Sequence, residues 1–235
     1  MNEFSRREVR HLLLFLAAPL LMLLAAVLMS RMSAIPFPLF VRDPASIAQH
    51  HPLLGVVSNA GNLLWCTCAA ICAFSSQLLV REQGMSERVR HLRGAALLTL
   101  ILLLDDFFMI HDYLADFYMG VKEAAIVALI CAAAVVYLWR FRKAILTKEF
   151  GWLLFALTCL VGSVVIDLAN DVRLFEAGQW LTHAEEPLKF LGIAAWCGYH
   201  YRLATSSLQS ARQASLAPRV SDHRQDELTT PRAAA

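Results

Sequence analysis

The chain has 235 residues, 58% of them hydrophobic and 17% charged, with a net charge of +2 and a mean hydropathy of +0.52. Soluble domains are less apolar and more charged, and the long uncharged runs here approach the ~20 residues that cross a ~30 Å hydrocarbon core. All six cysteines lie in apolar runs rather than loops, which excludes a disulfide framework or zinc knuckle. The continuous apolar length excludes the alternating ~10-residue strands of a barrel. What remains is an all-α, polytopic membrane protein.

In chain order, the hydropathy predicts membrane helices over about 11–30, 54–80, 95–115, 122–140, 151–171 and 179–202. Arg6, Arg7 and Arg10 precede the first, whose apolar run is longer than the ~7–15 residues of a signal-peptide core, so it is read as a retained helix. A long connection follows. Within it DPASIAQHH starts like a short interfacial helix, with Asp43 as N-cap and Pro44 in the first turn. The second span brings Ser58, Asn59 and Asn62. The third carries LLLDDFFMIHDYLADF, with Asp105, Asp106, His111, Asp112 and Asp116. The fifth ends in Asp167, Asn170 and Asp171, and the sixth begins with His183, Glu185, Glu186 and Lys189. His200 is expected at the interface, and Trp139, Trp152 and Trp180 in aromatic belts. Residues 1–204 form the membrane domain, and the polar segment 205–235 reads as a disordered tail.

Sixteen of the 21 Lys and Arg fall at the N-terminus, in alternate loops and in the C-terminal tail. The opposite loops hold Arg31, Arg42, Lys122 and Arg173. The positive-inside rule then predicts a bundle of six transmembrane helices in a bacterial-type plasma membrane, with both termini cytoplasmic. Oriented so, helices two, three, five and six place their polar residues in the outer half of the bilayer. Acids at such depth cost roughly 2.5–3.5 kcal/mol each on insertion scales. They are therefore expected to face the bundle, paired, protonated or metal-bound.

On a regular helix of about 100° per residue, Asp105, Asp112 and Asp116 share a face, while Asp106 and His111 project elsewhere. Glu185 and Lys189 are spaced for an ion pair. His183 and Glu186, at i and i+3, could present nitrogen and oxygen ligands on one helical face. His111, Asp112, Asp167, Asp171, His183 and Glu186 are the candidate ligands of a divalent metal (Zn, Fe or Mn). Glu185, Glu186, Asp105 and Asp106 are the candidate catalytic acids and bases.

HAEEPLKFLG contains Glu185-Glu186-x-x-Lys189, and the third span contains Phe107-x-x-x-His111 and Phe108-x-x-x-Asp112. These resemble the E-E-x-x-K/R and F-x-x-x-H/E motifs of PrsW-type and CAAX-processing intramembrane proteases, in reversed order. The resemblance implies Glu185 or Glu186 as general base and His111 as a ligand or oxyanion-stabilising group. The expected function is a membrane-embedded, metal-dependent hydrolase acting on a lipid or membrane peptide. The alternatives are a cation- or proton-coupled transporter and a non-catalytic assembly partner. No nucleic-acid partner is expected.

Overall fold

The computed structural model describes residues 3–33, 35–42, 44–51, 53–146, 150–171 and 180–216. They are helical with short turns, and no strand occurs among them. The chain divides into two units, Met1–Val56 and Val57–Ala235. The first holds α1 (Glu3–Met32) and two short helices, α2 (Pro38–Val41) and α3 (Pro44–Ala48). The short helix expected in DPASIAQHH is thus α3, with Pro44 as its first residue. Asp43, its expected cap, lies outside the described residues.

The second unit is built from α4 (Val56–Gln83), α5 (Glu87–Phe108), a π-helical turn at Ile110–Leu114, α6 (Ala115–Met119), α7 (Glu123–Ile145), α8 (Phe150–Asp171) and α9 (Trp180–Leu216). Sequence explains the boundaries. Gly84 turns the chain at φ 65°, and the Ser86 hydroxyl accepts the Val89 N–H to start α5. Gly120, at φ 63°, closes α6.

Among the described residues, α4, α7 and α8 are each long and apolar enough to cross a membrane alone. The pair formed by α5 and the segment Ile110–Met119, bent by 58°, makes a fourth candidate span. The expected third helix is therefore broken rather than continuous.

Helices α8 and α9 pack most closely. Gly192 permits this, since a Cβ there would stand 2.7 Å from Leu160 Cγ and 3.1 Å from the Leu160 backbone nitrogen. Helices α5 and α7 form a second pair, with Gly94 against the Phe141 ring. Helix α4 joins through large side chains: Trp65 meets Trp196 edge-to-face at 6.3 Å. The core runs from Trp65, Cys68 and Cys72 through Leu92, Leu98 and Leu153 to Trp196 and Tyr199.

The disordered tail expected from 205 does not begin there, because α9 continues to Leu216. Ala204, Ser207 and Ala211 form a buried stripe at helical spacing, which small residues in a polar segment conceal from composition alone. Residues 217–235 lie outside the described set.

Candidate functional site in a broken helix

The break in the third span makes the site. Met109 adopts a left-handed conformation, φ 49° and ψ 50°, and donates its backbone N–H to the Asp105 carbonyl. The chain restarts as a π turn in which Leu114 N–H reaches the Met109 carbonyl. Across this break Asp105 acts as a cap. Its Oδ1 accepts the His111 backbone N–H at 3.1 Å, and its Oδ2 lies 2.7 Å from His111 Nδ1. His111 Nε2 in turn lies 3.1 Å from Asp112 Oδ1. A regular helix would put Asp105 and His111 on different faces, so the expectation that His111 projects elsewhere fails for a local reason. The left-handed residue and the π turn rewind the chain and bring i and i+6 together.

Asp106 serves a different partner. Its Oδ1 is 2.6 Å from Lys189 Nζ on α9, and its Oδ2 accepts the Trp65 indole N–H from α4 at 2.9 Å. The expected Glu185–Lys189 pair on α9 is thus replaced by a pair between helices. Asp106 satisfies the lysine, and a tryptophan N–H occupies its second oxygen.

These groups border a cavity of about 230 Å³ between α5, α7, α8 and α9. Asp105, Asp106, His111, Asp167, Glu185 and Lys189 face it beside Trp65. Its remaining wall is apolar, including Leu102, Ile130, Ala134, Leu157, Val161 and Trp196. Of the predicted site residues, the structure thus gathers Asp105, Asp106, His111, Asp167 and Glu185 around one space, with Asp112 attached through His111. Glu186 and Asp116 are exposed, and so are Ser58 and Asn59. The side chains of Asn170, Asp171 and His183 lie outside the described residues.

A metal does not fit the described donors. No three His, Cys, Asp or Glu side chains among the described residues gather as a metal site would require. Both ring nitrogens of His111 already face carboxylate oxygens, which leaves no imidazole lone pair directed at a cation.

Sequence reasoning missed a second polar group deeper in the same unit. His200, expected at the interface, is fully buried. Its Nδ1 lies 2.9 Å from the Trp196 carbonyl, which can only accept, so Nδ1 carries the proton. Nε2 therefore accepts from the Tyr137 hydroxyl at 3.1 Å. The Trp196 indole N–H donates to Thr99 Oγ1 at 3.0 Å. Only the position of these residues inside apolar runs signalled burial.

Fold and site define an all-helical protein with several membrane-length apolar helices, one of them broken around an acid, histidine and lysine network. Over residues 10–203 the chain matches the family model described as Domain of unknown function (DUF8692), and it belongs to that family. No curated protein and no solved structure matches it.

Proposed function

We propose that the chain spans a bacterial-type plasma membrane six times with both termini cytoplasmic, and that it is a proton-coupled carrier of a cation. The observation that supports this best is the break at Met109, held by one carboxylate that binds both the backbone and the imidazole of His111. Discontinuous spans with ionisable groups at the break are how carriers build mid-membrane sites. The Asp105 carboxylate accepts both bonds while ionised. A proton on it removes acceptor capacity and loosens the hold on the second half of the helix. Cavity acids Asp105, Asp106, Asp167 and Glu185 outnumber the bases His111 and Lys189, which favours a cation as the exchanged species.

The test is flux. Proteoliposomes with an acidic lumen and a trapped pH dye are challenged with sodium, potassium or dodecyltrimethylammonium. At least one cation should alkalinise the lumen well above protein-free vesicles, and Asp105→Asn should remove most of that rate. Equality with empty vesicles for all three cations overturns the carrier.

A hydrolytic reading is favoured by one observation: Glu185, from the motif resembling intramembrane proteases, faces the cavity. Glu185 would there serve as general base for water. This reading expects cleavage of a fluorogenic lipid ester, lost in Glu185→Gln, in protein that moves no protons.

A further inference from the structure

The cavity is open on one side, and the open side is a membrane-type surface. Helices α7 and α8 follow each other in sequence yet are not among the closely packed helix pairs. Both line the cavity, α7 through Val127, Ile130, Cys131 and Ala134, α8 through Leu157 to Val165. Three of these lining residues are also exposed: Cys131 on α7, and Val161 and Val165, each 59% accessible, on α8. The cavity therefore reaches the outside between the two most apolar candidate spans. A polar solute finds no polar rim there, whereas a hydrocarbon chain does not leave an apolar medium to enter.

The other end is charged. Lys189 is held by Asp106, and His111 by Asp105 and Asp112. Glu185 faces the cavity and makes no hydrogen bond or ion pair with a described residue. An anionic head would meet carboxylates whose neighbouring cations are already engaged, and would leave Glu185 without a partner. A cationic head complements it. Trp65 stands beside Asp106 with Trp196 against it, offering the aromatic surface to which alkylated ammonium groups bind. The volume is below the ~300–1,000 Å³ of sites that enclose a whole drug-sized ligand, so the head and the first carbons fit and the chain trails into lipid.

We infer that the cavity admits a single-chain amphiphile with an alkylated ammonium head from the bilayer, through the gap between α7 and α8. This names the substrate class of the carrier site and rests on that reading for turnover, though binding stands apart from it. The measurement is binding to full-length protein in nanodiscs, using dodecyltrimethylammonium below its micelle concentration, with tetramethylammonium and dodecanoate as comparisons. Dodecyltrimethylammonium should bind at least tenfold more tightly than either. Glu185→Gln should weaken it about tenfold. Val161→Trp, at an exposed position that fills the gap, should do the same while the melting temperature is kept. Equal or tighter binding of dodecanoate, or unchanged affinity in Val161→Trp, overturns the inference. Binding without flux leaves it standing and removes the carrier. Sodium or potassium flux without dodecyltrimethylammonium binding does the reverse.

Discussion

At the scale of single residues, the site is a set of charges that mostly satisfy one another. Lys189 and Asp106 keep 28% and 14% of their side-chain surface, so much of their hydration is lost and each relies on the other. Breaking a buried pair from one side leaves an uncompensated charge and costs on the order of 3 kcal/mol, whereas removing both charges is close to neutral. Asp106→Asn and Lys189→Met should each lower the melting temperature in detergent. The double variant should recover most of the loss, because the amide oxygen that replaces the carboxylate still accepts from the Trp65 indole. A double variant no better than the worse single one would show that the pair does not act as a unit. The chemistry of these residues was legible from sequence, since ionisable side chains in apolar runs need partners. Their pairing was not. Helical spacing on α9 favoured Glu185 for Lys189, and nothing in a one-dimensional pattern reveals that Asp106 lies across from it. His200 shows the same limit: its place in the chain suggested an interface, and only packing against Tyr137 and Trp196 makes it a core residue.

At the scale of elements, α4, α7 and α8 lie close to the spans that hydropathy predicts, whereas α1 and α5 begin well before theirs and α9 ends well after. The break in the third escaped because neither glycine nor proline marks it. Met109 sits at φ 49° without the freedom of glycine, at a cost of roughly 1–2 kcal/mol, offset by the bonds that Asp105 makes across it. Met109→Gly should therefore raise stability by about 1 kcal/mol and keep the break, whereas Met109→Ile should destabilise by a comparable amount. If Gly destabilises and Ile does not, the left-handed conformation is not what the residue supplies. The α8–α9 contact offers the opposite case. Gly192→Ala puts a methyl within 3.1 Å of Leu160 backbone, where no side-chain rotation can make room. Overpacking of this kind costs typically ~1–3 kcal/mol, and thermal unfolding in detergent should show the drop.

At the scale of the whole molecule, the length of α9 constrains how the second unit sits in a bilayer. Its 37 residues extend about 55 Å at 1.5 Å per residue, far more than the ~30 Å hydrocarbon core. In the proposed six-span topology one end of α9 therefore stands in water. The C-terminal part, from Tyr201 to Leu216, is rich in Ser, Gln and Arg, and the proposed topology puts it with the basic segments that the positive-inside rule assigns to the cytoplasm. On the same proposal the turn at Gly120 to Lys122 is placed on the opposite side, since α7 leads from it to the basic residues Arg140, Arg142 and Lys143. Lys122 and Ser210 are both exposed, so single cysteines can report on each in a background without the six native ones. Lys122→Cys should react with a membrane-impermeant maleimide in intact spheroplasts. Ser210→Cys should react only after lysis. Reaction of both before lysis would mean that the segment carrying Ser210 is not cytoplasmic. The reversed pattern would invert the protein and put the acid and histidine site in the cytoplasmic half, so that the proton for Asp105 would come from the cytoplasm.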